Sequence, residues 1–468
     1  MKASSKTAAA LILVLASGSP LTHGHRTVSE VARQVQVART SPEPPNVLIL
    51  VTDDQRLGGM DVMPNTRQIF ADGGIRFTEA FVTTPLCCPS RASIFTGRFV
   101  HNHKVLDTES AESLDQRTTL QHYLQTAGYF TSTVGKYLNL WNIRRDPPFF
   151  DRWAIFNDDY GEDGYRNERW NVDGRVQTLK RYTTSVITDK ALEFLNGFEA
   201  EDERPWLLYV FPFAPHSPYS PHKSYAQARV PPWKPSRATE ETNLADKPPW
   251  VKRNQVDLVE ARRVRRGQLR TLMSVDDLMG RLFDHLSSLD EGRNTLMFYL
   301  SDNGLTWGEH GLISKRNPYT PSVKVPFFVR WLGADLSTID AAQPVANLDI
   351  APTVLEAAGV AADAMAPMDG ISLIGPNNRN RMHLEYFREA GMPSWASTVT
   401  RNLQYTEYYL ADGETVSFRE LYRLDRDPSQ LRNVLNDGNA ANDPSAKALR
   451  DLSSQLASDR ACIGHSCP

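Results

Sequence analysis

Short runs of apolar and β-branched residues alternate along this chain with stretches of helical periodicity. Four of these runs each hold six residues, and they span 46–51, 129–134, 206–211 and 295–300. Continuous apolar runs of this length are typical of strands buried on both faces, and helices between such strands favour parallel pairing. From Asn46 onward, the pattern therefore predicts an α/β fold with a largely parallel sheet covered by helices on both faces.

Polar side chains follow each of the four runs at the point where the run ends. These endings are Thr52-Asp53-Asp54, Gly135-Lys136-Tyr137, Ala214-Pro215-His216-Ser217 and Ser301-Asp302-Asn303-Gly304. In open α/β sheets, ligands bind in the crevice at the carboxyl ends of the strands. We therefore expect these acidic, basic and amide groups to lie together along one rim of the sheet.

The pattern changes from about Ile371 onward. A strand at 325–329 and a helix at 349–358 precede this point, and shorter strand-like segments follow it. The later segments are 383–387, 397–400, 406–411 and 421–424, with a final helix at 446–457. We interpret residues 45–370 as the main domain and residues 371–468 as a smaller C-terminal α+β domain.

The first residues have the pattern of an export signal. Lys2 and Lys6 precede an apolar run at 8–16, and small residues follow it, which predicts a secretory signal peptide over 1–18. Residues 19–44 are polar and end near a Pro-Glu-Pro-Pro sequence, so they are interpreted as a linker. The apolar run is too short to cross a bilayer, and the sequence suggests no other membrane span.

Composition and charge narrow the function classes. The net charge is −3, with 23% charged and 41% hydrophobic residues, which is typical of a globular protein and gives no reason to expect nucleic acid binding. A basic cluster at 262–266 lies in a helical pattern that runs to about Leu286. We interpret this cluster as a solvated helix face and not as a polyanion site.

The four cysteines divide into two pairs. Export permits disulfides, and Cys462 and Cys467 are predicted to pair across a short C-terminal loop. Cys87 and Cys88 remain, which fits chemical modification of one of them. The chain has no Asn-x-Ser/Thr acceptor, which favours an exported bacterial protein over a glycosylated lysosomal one.

The segment 85–98 carries the candidate nucleophile. Pro89 and Ser90 predict a helix that begins with Ser90 as the N-cap, so Cys87 should lie just before a helix N-terminus. The helix dipole there favours an anion and would lower the thiol pKa, which makes Cys87 a candidate reactive cysteine. Two alternatives remain open on these residues alone: a buried structural cysteine, or a vicinal disulfide between Cys87 and Cys88.

A metal site is predicted from the acidic rim residues. Asp53, Asp54, Asp302 and Asn303 offer only oxygen ligands, which suit a hard divalent cation. Ca²⁺ is the first choice, Mg²⁺ the second, and zinc is disfavoured. The alternative is that the two acidic turns only cap helices.

The Cys87-x-Pro-Ser-Arg91 sequence, followed by Phe-Thr-Gly-Arg98, resembles the signature of the type I, formylglycine-dependent sulfatases. Further matching segments are 45–47, 52–55, 101–103, 135–139, 214–218, 274–277, 301–304, 315–316, 324–326 and 347–349. Together they are similar to the branch that contains N-acetylglucosamine-6-sulfatase and the heparan sulfate 6-O-endosulfatases. The resemblance covers residues from about 45 to about 435.

The resemblance implies an alkaline-phosphatase-like fold and a set of site residues. It implies that a maturase oxidises Cys87 to formylglycine and that Arg91 stabilises this group. An oxygen of the modified Cys87 would then bind the metal together with Asp53, Asp54, Asp302 and Asn303. The sulfate oxygens would be bound by Lys136, His216 and Lys315. The implied reaction releases the 6-sulfate of N-acetylglucosamine or glucosamine in a glycosaminoglycan.

One departure from the family pattern concerns Leu138, where many sulfatases have a histidine after the Gly-Lys lysine. His101, His103 and His310 are candidates to replace that histidine. A further hypothesis is that cationic loop residues meet other anionic groups of the sugar chain: His101, His103, Lys104, Arg144, Arg145 and His222.

Alternative functions are a generic arylsulfatase, a phosphonate monoester hydrolase or phosphodiesterase of the same superfamily, and a non-catalytic glycan-binding protein. The sequence leaves open the exact sugar, exo or endo cleavage, the maturation of Cys87 in the host, and the oligomeric state.

Overall fold

The computed structural model describes residues 43–156, 163–200, 204–253, 255–361, 365–375, 377–389 and 391–468. The predicted signal peptide lies outside the described residues. So does the predicted linker, except for its last two residues, which are exposed coil.

The strands of the described residues are β1 Asn46–Thr52, β2 Gly74–Arg76, β3 Glu79–Phe81, β4 Phe130–Lys136, β5 Arg152–Phe156, β6 Arg169–Val172, β7 Arg175–Thr178, β8 Trp206–Phe211, β9 Thr295–Ser301, β10 Phe327–Arg330, β11 Pro344–Ala346, β12 Met382–Tyr386, β13 Trp395–Val399, β14 Gln404–Tyr409 and β15 Val416–Tyr422. The helices are α1 Pro64–Ala71, α2 Cys87–Thr96, α3 Val100–His103, α4 Leu120–Thr126, α5 Thr183–Glu199, α6 Pro249–Arg253, α7 Leu258–Ser288, α8 Thr320–Val323, α9 Ile350–Ala357 and α10 Ala446–Asp459.

The main sheet has nine strands in the order β2-β10-β9-β1-β8-β4-β5-β6-β7. Its five central strands, β9 to β5 in that order, are parallel, whereas β10 and β2 at one edge and β6 and β7 at the other pair antiparallel. The four apolar runs of the sequence are β1, β4, β8 and β9, so the prediction of a largely parallel sheet is confirmed. The antiparallel edge strands were not predicted.

Both faces of this sheet are covered. Val47 and Ile49 of β1 belong to an apolar cluster with helices α2, α4 and α9, whereas Leu48 and Leu50 belong to a second cluster with α5 and α7. All four side chains are fully buried, as expected for a central strand between two helical layers. Burial of both faces explains why residues 47–51 of β1 are an uninterrupted apolar run.

The C-terminal region forms a four-stranded antiparallel sheet, β12-β13-β14-β15. Apolar residues from both sides of position 370 share one cluster, which includes Phe81, Leu86, Met382 and Leu384. The predicted domain division at position 370 therefore stays a prediction. The predicted disulfide between Cys462 and Cys467 is present, with Cα atoms 5.0 Å apart.

The basic cluster of the sequence lies on α7 and divides between two environments. Arg262, Arg263 and Arg266 are exposed, as predicted for a solvated face. The prediction is wrong for Arg265, which is buried and donates a hydrogen bond from Nη1 to the carbonyl of Pro231 at 3.0 Å. None of the described helices is both long enough and apolar enough to cross a membrane.

Candidate active site

Helix α2 begins at Cys87, with Leu86 as the N-cap. The predicted N-cap at Ser90 is therefore wrong by one turn. Pro89 is compatible with the first helical turn because its nitrogen needs no hydrogen-bond partner there, so the helix can start before it. The hydroxyl of Ser90 instead accepts a hydrogen bond from Asn347 Nδ2 at 2.9 Å, which ties the helix to the turn before α9.

Cys87 lies in a charged environment. Its side chain is buried, its thiol donates to Asp53 Oδ1 at 3.3 Å, and its Sγ accepts a hydrogen bond from Lys315 Nζ at 2.7 Å. Burial and then the charge of Asp53 raise the pKa of the Cys87 thiol well above its usual value. The expected lowering of this pKa by the helix dipole is thus wrong, because burial and a nearby carboxylate outweigh it. Neither Cys87 nor Cys88 takes part in a disulfide, which rules out the vicinal pairing.

The carboxylate of Asp53 lies among positive charges. Its Oδ2 accepts hydrogen bonds from Lys136 Nζ at 2.7 Å and from Arg91 Nη2 at 3.3 Å. Burial alone would raise the pKa of Asp53, but Lys136, His216, Arg91 and Lys315 together lower it. The group therefore stays ionised in the interior, which a metal ligand requires.

Asp54 is the second carboxylate of the β1 ending. Its Oδ1 accepts hydrogen bonds from Lys315 Nζ at 2.6 Å and from Asn303 Nδ2 at 2.7 Å. Asp54 adopts a left-handed backbone conformation, with φ of 68°, which is uncommon for a residue with a Cβ atom. Gln268 Nε2 stabilises it by donating to its carbonyl at 3.1 Å. The turn thus directs two successive carboxylates to the same site.

Arg91 connects the helix to the rim. Its Nε donates to Asp302 Oδ2 at 2.9 Å, and its Nη1 donates to the carbonyl oxygen of Lys136. The guanidinium has no exposed surface, and the charges of Asp302 and Asp53 outweigh burial and raise its pKa. Arg91 therefore holds the β1, β4 and β9 endings in one arrangement.

Gly135 allows the close approach of β4 to β8. Its φ is +110°, and a Cβ atom at this position would lie 2.1 Å from the carbonyl oxygen of Phe211. Any larger residue would push the two strands apart and move Lys136 away from Asp53.

His216 follows β8 and is half-buried, with Nε2 at 3.8 Å from Asp54 Oδ2. Its Nδ1 lies 2.8 Å from the carbonyl oxygen of Ser217, which can only accept a hydrogen bond. Nδ1 therefore keeps a proton, and Nε2 is the atom that gains or loses one. Burial lowers the pKa of His216, although Asp53 and Asp54 partly oppose this.

A cavity of about 790 Å³ opens over Cys87. Of the predicted site residues, it is lined by Asp54, Cys87, His216 and Lys315. The other predicted residues lie behind these, in contact with them or with one another: Asp53, Arg91, Lys136, Asp302 and Asn303. Polar lining residues that we did not predict are Thr108, Asn139, Asp163, Ser217, Tyr219, Ser314 and Arg316. Asn139, Ser217 and Arg316 lie in segments that match the family, but the resemblance assigned them no role, and the loops of the other four carry no motif.

The predicted metal ligands are suited to a hard cation. Asp53, Asp54, Asp302 and Asn303 present oxygen atoms, and Asn303 Oδ1 is buried without any hydrogen-bond partner. A buried amide oxygen left unpaired is costly unless a cation or another donor meets it. Asp53, Asp54, Cys87 and His216 also each offer a ligand atom within 4.8 Å of the others.

The three histidines considered as replacements at Leu138 lie away from the cavity. His103 Nε2 is 3.1 Å from Ser93 Oγ, and burial lowers its pKa to about 3. His101 Nδ1 is 2.9 Å from Glu385 Oε2, and His310 Nδ1 is 2.5 Å from Glu241 Oε2. Since none of the three lines the cavity, His216 is its one lining histidine among the described residues.

The cationic loop residues proposed to meet the sugar chain also lie elsewhere. Arg145 pairs with Glu112 and lies over the ring of Trp141, and His222 caps the turn at Ser224. None of the six residues of that hypothesis lines the cavity, so their contact with anionic groups of a longer sugar chain, beyond this cavity, stays a prediction.

Comparison with known proteins places this site in a family. The chain matches the Sulfatase family over residues 45–360 and the family N-sulphoglucosamine sulphohydrolase, C-terminal, over residues 308–459. A Sulf-1 homologue of Caenorhabditis elegans is 36% identical over 383 residues, covering 76% of this chain and 52% of the relative. The N-acetylglucosamine-6-sulfatase of Homo sapiens is 29% identical over 489 residues, covering 90% of this chain and 86% of the relative. The chain thus spans about half the length of the Caenorhabditis elegans relative.

Solved structures share the fold. An enzyme in complex with its substrate D-glucosamine-2-N,6-O-disulfate aligns with a TM-score of 0.73 at 24% identity, over 89% of this chain and 97% of that structure. The phosphonate monoester hydrolase of Agrobacterium radiobacter aligns with a TM-score of 0.66 at 21% identity, over 88% of this chain and 96% of that structure. Since the Sulfatase match covers more than half of the chain and includes every residue of the site, this protein belongs to the sulfatase family.

Proposed function

We propose that this protein hydrolyses a sulfate ester, and that its substrate is the 6-sulfate of N-acetylglucosamine or glucosamine in a glycosaminoglycan. The observation that carries the proposal is the group of charged residues around Cys87. The Cys87 Sγ atom lies 2.7 Å from the ammonium of Lys315 and 3.3 Å from the carboxylate of Asp53, at the base of a cavity of about 790 Å³. A nucleophile, a cation and a carboxylate at this spacing match the needs of sulfuryl transfer.

Two groups are proposed to complete the site. Formylglycine made from Cys87 by a maturase would supply, as its hydrate, the hydroxyl that attacks sulfur. Ca²⁺, or Mg²⁺ as the alternative, would be held by Asp53, Asp54, Asp302 and Asn303 and would supply Lewis-acid stabilisation of the charged oxygens.

Lys315 and His216 are proposed to bind the sulfate directly, because both line the cavity. Lys315 Nζ bridges Asp54 and Cys87, so its charge lies where the sulfate oxygens gain negative charge during the reaction. Lys136 lies behind the cavity wall, with Nζ on Asp53 and over the ring of Phe213 at 5.2 Å. We therefore propose that its charge acts through Asp53 instead of by direct contact.

His216 is the proposed general acid for the departing sugar alcohol. The carbonyl of Ser217 fixes the proton on Nδ1, so Nε2 is free to deliver a second proton into the cavity. No other histidine among the described residues lines the cavity, so the alternative general acid is a lysine, of which Lys315 lines the cavity.

The sugar substrate is proposed from the relatives, since N-acetylglucosamine-6-sulfatases align over most of this chain. The test compares glucosamine-6-sulfate with 4-nitrophenyl sulfate, using protein purified from its natural host, with sulfate release as the measurement. We expect a higher kcat/KM for the sugar. Equal or better turnover of the aryl sulfate, with no release from the sugar, would support a generic arylsulfatase instead.

Mass spectrometry of the peptide that carries residue 87 reports whether formylglycine is present.

A second candidate activity is phosphonate monoester hydrolysis, which the shared fold with the Agrobacterium radiobacter enzyme favours. Side-by-side turnover of a sulfate ester and a phosphonate monoester of the same phenol distinguishes the two. We expect the sulfate ester to be preferred, because N-acetylglucosamine-6-sulfatases align over most of this chain. Export from the cell, through the predicted signal peptide, is part of the same proposal and is tested by fractionation of the host culture.

A further inference from the structure

A second cavity, of about 630 Å³, lies beside the cavity over Cys87, which we call the catalytic cavity. Ile313, Ser314 and Arg316 line both cavities, so a single chain segment forms their common border. The two spaces are close, because Arg316 directly follows Lys315, whose Nζ contacts the Cys87 Sγ atom at 2.7 Å. The segment that carries the sulfate-binding candidate Lys315 thus also forms part of the wall of the second cavity.

The charged side chains that line the second cavity are both arginines. Arg253 and Arg316 contribute the charge, and no carboxylate is present among the described residues of its lining. The wall includes the indole of Trp250, which is buried, and the side chain of Met392. A cavity with two guanidinium groups and an apolar wall suits a ring-shaped ligand that carries one anionic group.

Arg316 is fixed at the border and has spare hydrogen-bond donors. Its backbone N–H donates to the carbonyl of Pro85 at 3.0 Å, and its carbonyl accepts from Trp395 Nε1 at 2.8 Å. Its guanidinium pairs with Glu389 at 3.3 Å through Nη2, while Nε is buried without a hydrogen-bond partner. A guanidinium has five N–H donors, and since Nε is buried, a ligand in the cavity would be met by the Nη1 and Nη2 donors that Glu389 leaves unused.

We propose that the second cavity binds the uronic acid attached to the sulfated glucosamine, and that Arg253 and Arg316 recognise its carboxylate. This inference rests on the proposed function and narrows the substrate to a uronic-acid-containing glycosaminoglycan. The planar guanidinium matches a carboxylate by paired hydrogen bonds, which a neutral sugar cannot supply. A volume of about 630 Å³ is ample for one sugar ring.

The experiment compares two disaccharides in which glucosamine-6-sulfate is linked either to glucuronic acid or to its carboxyl-reduced form, glucose. We expect the natural protein to prefer the acid form by about tenfold in kcat/KM, the size of one hydrogen-bonded charge. Arg253→Ala should abolish this preference, and Arg262→Ala, which removes an exposed arginine of α7 outside both cavities, should keep it. Equal turnover of the two disaccharides by the natural protein, or an unchanged preference in Arg253→Ala, would overturn the inference while leaving sulfatase activity intact.

A binding measurement separates this inference from a failure of the proposed function. The natural protein could release no sulfate from either disaccharide. In that case, isothermal titration calorimetry measures how the Cys87→Ala variant binds the desulfated form of each disaccharide. This measurement tests the second cavity directly. Tighter binding of the acid form, lost in a Cys87→Ala, Arg253→Ala double variant, supports the cavity as a uronic acid site. Equal affinity for the two forms rules it out. Circular dichroism of each variant establishes that its fold is intact.

Discussion

The adjacent cysteines at the start of α2 provide a matched pair of substitutions. Cys87 contacts Lys315 and Asp53 and lines the catalytic cavity, whereas Cys88 has no exposed surface and belongs to the core cluster on one face of the main sheet. Cys87→Ala removes the atom from which the proposed nucleophile is made, and Cys88→Ala removes only one buried heavy atom. We therefore expect opposite effects on activity and on stability.

The magnitudes follow from these environments. Loss of a nucleophile lowers kcat on the order of 10⁴-fold or more, so Cys87→Ala should have no measurable sulfate release. Removing one heavy atom from a packed core costs about 1 kcal/mol, so Cys88→Ala should unfold at lower urea concentration while keeping most of its activity. Since one side of Cys87 faces the cavity, Cys87→Ala should lower the free energy of unfolding by less than Cys88→Ala does.

Sulfate release by ion chromatography and urea unfolding, measured on the same samples, test this pair. Mass spectrometry should find the aldehyde at position 87 in the natural protein and in Cys88→Ala. Activity that survives in Cys87→Ala, or that disappears in a fully folded Cys88→Ala, would refute the assignment of the nucleophile.

Three further predictions concern the proposed metal ligand Asp302, the lysine proposed to bind sulfate, and a partly buried ion pair. Asp302→Ala should lose bound metal and activity together, and stoichiometric zinc or two ions per chain in elemental analysis of the natural protein would contradict the proposed site. Lys315→Met should lower kcat by about 10²–10³-fold, the usual effect of removing one charge-stabilising group, and a change in KM alone would argue against that role. Burial lowers the pKa of His101, but the carboxylate of Glu385 outweighs burial, so the pKa is raised. The ion pair of His101 and Glu385 therefore stabilises the fold fully below a pH of about 6.5, the ordinary pKa of histidine. This stabilisation is lost as the pH rises through the raised pKa. His101→Gln should therefore lose more unfolding free energy at a pH of about 6 than at about 9, and an equal loss at both would show that the His101 charge is unimportant.

The sequence by itself determined the strands of the sheet centre and the residues that follow them. A buried strand is a continuous apolar run, and the polar residue at its end is its neighbour in the chain, so both are local features of the sequence. Parallel pairing then forces these endings to one rim, which is why Asp53, His216 and Asp302 could be grouped from the amino-acid pattern alone. The disulfide was equally local, since Cys462 and Cys467 are five residues apart.

The tertiary structure decided which charged groups reach the site and in what state. The pKa of the Cys87 thiol is raised because folding buries it beside Asp53, which lies 34 residues earlier in the chain. The sequence places His101 among the candidates for catalysis or sugar binding, but its ring is hydrogen-bonded to Glu385, 284 residues later. The local sequence of Ser90 is that of an N-cap, but the helix begins at Cys87, and the Ser90 hydroxyl accepts a hydrogen bond from Asn347, 257 residues later. Long-range contacts of this kind depend on how sheet and helices pack, and neither periodicity nor motif spacing carries that information.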